Sequence, residues 1–112
     1  VRVGGPEGPV DTGLTKVGCF LGDHVKTGIG TLLNTGTVVG MGSNLFGGVM
    51  PPTIVPPFSW GTGDRLGEYR LDKFLDVAAK AMARRDATLS DGMAGVLRRA
   101  WEITRKERRS PE

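Results

Sequence analysis

This 112-residue chain is poor in reactive side chains: it has one cysteine, Cys19, and one histidine, His24. One of each cannot build a metal-ligand cluster, and a disulfide framework needs pairs, so no metal site is expected. Cys19 reads as a small buried hydrophobe in a reducing compartment. Long apolar runs are also missing. Nothing approaches the roughly 18 residues that would cross a bilayer, and no signal-peptide pattern is visible, so a soluble, cytoplasmic protein without a membrane partner is expected. Charge of either sign is modest, with a net +3. The basic excess gathers at Arg98, Arg99, Arg105, Lys106, Arg108 and Arg109. No aromatic interleaves the RKERR run, which suits a helix C-terminus better than a nucleic-acid patch.

What is abundant is glycine, at 18 residues. From Thr15 to Met50 the chain repeats every six residues: TKVGCF, LGDHVK, TGIGTL, LNTGTV, VGMGSN, LFGGVM. The first position is aliphatic at Leu21, Leu33, Val39 and Leu45, with Thr15 and Thr27 as exceptions. The fourth is glycine at Gly18, Gly30, Gly36, Gly42 and Gly48, and the fifth is small or β-branched throughout. A short fixed period means that each unit buries its apolar face against copies of itself. A flexible Gly-rich linker would not hold an aliphatic in phase over so many units. The pattern predicts a parallel β-helix, with glycines at corners where a Cβ would obstruct the backbone. Three hexads make one turn, so about two coils are expected. Two coils leave open edges, and the chain reads as the C-terminal piece of a longer protein.

Around the repeat lie three other segments. Residues 1–14 read as a protruding hairpin turning through Gly4-Gly5-Pro6-Glu7-Gly8-Pro9. Residues 15–50 are the coils. Residues 51–67 break every period, because Pro51, Pro52, Pro56 and Pro57 oppose regular hydrogen bonding while Phe58 and Trp60 supply apolar anchors. This strap is read as docked, either as a packed exit from the coils or as part of an active site or subunit interface. In residues 68–112 the period becomes 3.6. Leu71, Phe74, Leu75, Ala78 and Met82 share one helical face. Thr88 or Ser90 can cap a second helix, whose apolar face is Met93, Val96, Leu97, Ala100, Trp101 and Thr104. A two-helix hairpin is expected there, giving a mainly β chain with a C-terminal α portion.

The hexads, and GDHVKTGIGTLLNTGTVVG in particular, resemble the left-handed β-helix (hexapeptide-repeat) acyltransferases. NLFGGVMPPTIVPPFSWG, EYRLDK and MARR narrow the resemblance to the C-terminal end of variant bacterial sugar nucleotidyltransferases, similar to the bifunctional enzymes that make UDP-N-acetylglucosamine. The resemblance covers nearly the whole chain. It implies a partial left-handed parallel β-helix that associates as a homotrimer, with acetyl-CoA as co-substrate and a sugar phosphate, glucosamine-1-phosphate, bound between neighbouring subunits. Mg2+ would serve only the nucleotidyltransferase domain, which is absent from this chain.

The chemistry sets its own requirements. The attacking sugar amine must lose a proton to a base near neutrality, the oxyanion needs an N–H donor, and the sugar phosphate needs fixed cations. The resemblance places the base in a glycine–histidine motif upstream, so no catalytic residue is assigned in this chain. His24, at the fourth position of its hexad, is a base, a substrate contact in the acyl-CoA or sugar cleft, or a structural corner or trimer contact. Lys16, in TKVGCFLGDHV, aligns with a lysine that contacts the sugar phosphate, against the alternative of an exposed solubilising lysine. Lys26 is assigned to CoA phosphates as a point charge. Gly28, Ile29 and Gly30 fall where the resemblance lays pantetheine along the backbone. The rival to an N-acetyltransferase is a non-catalytic module that trimerises and caps a sugar nucleotidyltransferase; an acyltransferase for another sugar or acyl donor is a third possibility.

Overall fold

The computed structural model describes residues 1–108. Arg109, the last member of the RKERR run, lies outside the described residues. The chain opens with an antiparallel hairpin, β1 (Arg2–Gly5) and β2 (Gly8–Asp11), in register from Arg2 opposite Asp11 to Gly5 opposite Gly8. Short strands follow: β3 (Phe20–Leu21), β4 (Lys26–Thr27), β5 (Val38–Val39), β6 (Asn44–Phe46), β7 (Ile54–Val55), β8 (Ser59–Thr62) and β9 (Arg65–Glu68). Helices α1 (Leu71–Ala83), α2 (Asp91–Ile103) and the single turn α3 (Arg105–Arg108) complete the fold.

The six-residue period sets the corners. Backbone φ is positive at Gly18, His24, Gly30, Gly36, Gly42 and Gly48, each six residues from the last. Between corners the strands join two ladders. In one, β3, β5 and β7 pair in parallel, Phe20 with Val38 and Val38 with Ile54. In the other, β4, β6 and β8 pair in parallel, Lys26 with Asn44 and Asn44 with Trp60, and β9 then turns back antiparallel onto β8.

These ladders correct the expected architecture. The chain does not close into a left-handed parallel β-helix followed by a two-helix hairpin. Its strands divide among three small sheets, one antiparallel, one parallel and one mixed, and three helices follow. The remaining side of the repeat, around residues 31–33 and 49–51, carries no strand, and threonine hydroxyls bond to the local backbone at the corners. Thr31 Oγ1 donates to Gly28 O at 2.7 Å and Thr37 Oγ1 to Asn34 O at 2.6 Å. Thr35 Oγ1 accepts from Val17 N and Gly18 N at 2.9 and 3.0 Å. Such local bonds compete with strand pairing.

The first turn of the repeat is bare on its outer edge, which overturns the expectation for Cys19: the thiol is exposed. Phe20, Leu21, Ile29 and Leu32 are exposed with it. One turn further on, the positions matching Cys19 and Leu21 are buried, whereas Met50, matching Leu32, stays exposed. Val39, Leu45 and Val55 form a small core with Val25 and Leu66 against it. Thr37, Ser43 and Ser59 are buried too, with their hydroxyls satisfied. Ser43 Oγ and Ser59 Oγ both donate to Pro56 O, at 3.0 and 2.7 Å.

The proline-rich segment is more regular than its prolines imply. They flank β7, so the strand keeps its pairing: Val38 N donates to Thr53 O at 2.8 Å and Gly40 N to Val55 O at 2.9 Å. Phe58 is fully buried and anchors a second core with Tyr69, Phe74, Ala78 and Leu97. Here α1 and α2 dock on the corner column. The edge of Phe74 meets His24, Phe58 and Tyr69 at centroid distances of 5.8, 5.0 and 5.6 Å. Ser90 is the N-cap of α2, its Oγ accepting from Met93 N at 3.1 Å. The apolar face expected for α2 is only partly used. Leu97 is buried and Trp101 half-buried, while Met93 and Val96 stay exposed. Helix α1 begins at Leu71, because Glu68 is spent in β9.

Candidate functional site

Residues paired in register on a parallel ladder project to the same side. Leu45 is buried on the inner side of the mixed sheet, so its neighbours in the sequence belong to the outer side. Lys26, Asn44 and Trp60 therefore form one outward row across β4, β6 and β8. Trp60 packs edge-on against Phe46, with centroids 4.9 Å apart, yet remains 47% exposed. Against this face the β9–α1 junction sets Glu68, Tyr69 and Arg70, and the first turns of α1 add Lys73 and Val77. Together with Asn44 and Trp60 they line a groove of about 540 Å³. That volume falls within the range of small-molecule sites.

The groove has a cationic balance. Glu68 is already neutralised: its Oε2 lies 3.0 Å from Arg108 Nε and 3.3 Å from Arg105 Nε. Arg70 makes an exposed pair with Asp72 at 3.2 Å, of the kind that contributes about 0–1 kcal/mol and yields readily to a competing anion. Among the described residues Lys73 makes no ion pair. Lys26 stands at the end of the Asn44–Trp60 row with no ion pair among them either. One indole, one amide, two cations and the paired Glu68 thus share one concave face, with Lys26 beside it. Among the described residues no cluster of three His, Cys, Asp or Glu side chains could hold a metal ion, and no helix is long and apolar enough to cross a membrane.

The residues singled out from the sequence are only partly brought together. Lys26 joins the row beside the groove. Gly28, Ile29 and Gly30 lie just beyond it at the next corner. Gly28 N donates to Leu45 O at 2.7 Å, Ile29 is fully exposed, and Gly30 has φ 85°. His24 occupies the preceding corner with φ 60°, half-buried against Phe74. It is the one non-glycine in the run of six corners. Lys16 is exposed and separated from Lys26 by the corners at Gly18 and His24. Sequence reasoning missed the groove itself: Asn44, Trp60, Glu68, Arg70 and Lys73. A signal was present in EYRLDK, where charges cluster at a helix entry, and in the solvent-facing Trp60 of the proline-rich segment.

No protein-family model matches this chain, and neither a curated protein nor a solved structure matches it significantly.

Proposed function

We propose that this chain is part of a sugar-phosphate N-acetyltransferase associated with sugar nucleotidyltransferase activity in UDP-N-acetylglucosamine synthesis, and that it acts in the cytoplasm. In this reading it supplies a wall that binds acetyl-CoA and glucosamine-1-phosphate, and the base comes from outside the chain. The observation that carries it is the groove that Asn44 and Trp60 share with Arg70 and Lys73, with Lys26 beside Asn44 in the same outward row. A thioester donor with a phosphorylated nucleotide end and a sugar phosphate are both anionic, and fixed cations beside an exposed indole are the groups that hold such ligands. The resemblance of the hexads and of NLFGGVMPPTIVPPFSWG supports the same class of reaction. Thermal unfolding of the purified protein with acetyl-CoA, and separately with glucosamine-1-phosphate, tests it. A rise in Tm with either ligand is expected, and product analysis should then show N-acetylglucosamine-1-phosphate when the whole enzyme is assayed. No response to either ligand would remove the proposal.

A second reading has its own observation. Phe20 and Leu32, at the outward sixth position of their hexads, and Ile29 at a corner are exposed apolar side chains on the walls of the repeat, which fits a non-catalytic module that trimerises and caps a nucleotidyltransferase. A trimer that ignores acetyl-CoA would decide for it.

A further inference from the structure

The groove between the mixed sheet and α1 has a composition narrower than "anion-binding". Its lining joins Trp60, Tyr69 and Val77 to one amide, Asn44, one carboxylate, Glu68, and the cations Arg70 and Lys73, with apolar surface predominating. A bare phosphate would have no use for the indole. A neutral ring would have no use for the lysine. A ligand that satisfies both has a flat, weakly polar ring at one end and phosphate at the other. Asn44 adds paired donor and acceptor capacity within the same row as Trp60, which is what the edge of a nucleobase presents. Glu68 does not oppose an anion here, because Arg105 and Arg108 already hold its carboxylate.

We infer that this groove binds a nucleoside phosphate, with the base on Trp60 and Asn44 and the phosphates on Lys73 and Arg70. Lys26 lies next to Asn44 in the same row, outside the groove lining. Two sources share this chemistry: the 3′-phosphoadenosine diphosphate end of an acyl carrier and the uridine diphosphate of a nucleotide sugar. The assignment rests on the transferase reading for the role of the groove, while the chemistry of the ligand follows from its lining.

The test uses the two tryptophans as reporters. Trp60 is exposed in the groove, whereas the indole N–H of Trp101 donates to Tyr69 O at 2.8 Å in the helical core. In a proton–nitrogen NMR titration of the purified protein, adenosine 3′,5′-bisphosphate or UDP should shift the Trp60 indole signal and leave that of Trp101 in place. Trp60→Ala should weaken binding about tenfold, the loss expected for one base–aromatic stack. Lys73→Gln, at an exposed position, should weaken it several-fold and flatten its salt dependence. A response to the adenosine compound alone identifies the acyl carrier; one to UDP alone identifies the nucleotide sugar, leaving the inference standing while removing the acetyl-CoA reading. Stabilisation by acetyl-CoA that is unchanged by both Trp60→Ala and Lys73→Gln would overturn the groove assignment while keeping the transferase. An equal shift with inorganic phosphate, or no shift of Trp60 with any nucleotide, would also overturn it.

Discussion

Arg108 reaches across forty residues of chain to Glu68, placing its Nε 3.0 Å from Oε2. Its side chain is only 3% exposed, and its guanidinium lies 5.5 Å from the Phe58 ring centroid and 4.9 Å from that of Trp101. The remaining N–H groups donate to Pro57 O, Trp101 O and Thr104 Oγ1 at 3.1, 2.7 and 2.9 Å. The contact thus ties the end of the helical region to the proline-rich segment and to the rim of the groove.

Arg108→Met should lower stability by about 2–3 kcal/mol, because carbonyls lose their donors and two cation–π contacts go, while Arg105 still screens Glu68. Arg108→Lys should recover less than half of this, since a point charge cannot reproduce the planar fork. Urea unfolding midpoints measure both. An unchanged midpoint for Arg108→Met would show that the contact is decorative.

His24 offers a test that separates a corner from a functional contact. A non-glycine residue at φ 60° carries about 1–2 kcal/mol of backbone strain, and the edge contact with Phe74 returns about 0.5–1.5 kcal/mol. His24→Gly loses both terms and should be nearly neutral. His24→Ala keeps the strain and loses the contact, so it should be less stable than His24→Gly by about 1 kcal/mol. If the imidazole takes part in acyl transfer, both variants lose activity together; if it only forms a corner, His24→Gly keeps it.

Two glycines with similar φ should respond differently to alanine. A Cβ at Gly48 meets nothing within 4 Å, so Gly48→Ala should cost about 1 kcal/mol of backbone strain alone. A Cβ at Gly42 would sit 2.5 Å from ring atoms of Phe58, so Gly42→Ala should cost about 1–3 kcal/mol more. Equal losses in thermal unfolding would mean that the Phe58 ring can move aside.

Self-association should depend on the exposed apolar side chains that the first turn presents on its walls. Ile29→Lys combined with Leu32→Lys changes exposed side chains, so the protomer should keep its stability while any oligomer dissociates. Sedimentation velocity over a concentration series reads this directly. A protein that stays monomeric with and without the substitutions would remove the proposed homotrimer.

Much of the local structure is legible in the amino-acid sequence. The period of six marks the positive-φ corners, and the 3.6 period marks the inward Phe74 and Ala78 of α1. Other features are not. Hexad phase places Cys19 inward but does not say which strands flank it, and the residue is exposed beside β3, which pairs with β5 alone. Proline opposes strand formation locally, yet Pro52 and Pro56 merely bracket Ile54–Val55. The face assigned to α2 included Met93 and Val96, but α1 and Phe58 cover only the side that carries Leu97.

Backbone bends and the inward alternation of side chains follow from the order of residues alone, because φ preferences and short-range periodicity are properties of a few adjacent residues. How many sides of the repeat become ladders is set by long-range packing, which excludes a closed left-handed β-helix. That packing alone brings Trp60 and Asn44 opposite Arg70 and Lys73. That groove depends on the register of β8 against β6 and on where α1 docks, and both are set by packing between residues far apart in the chain.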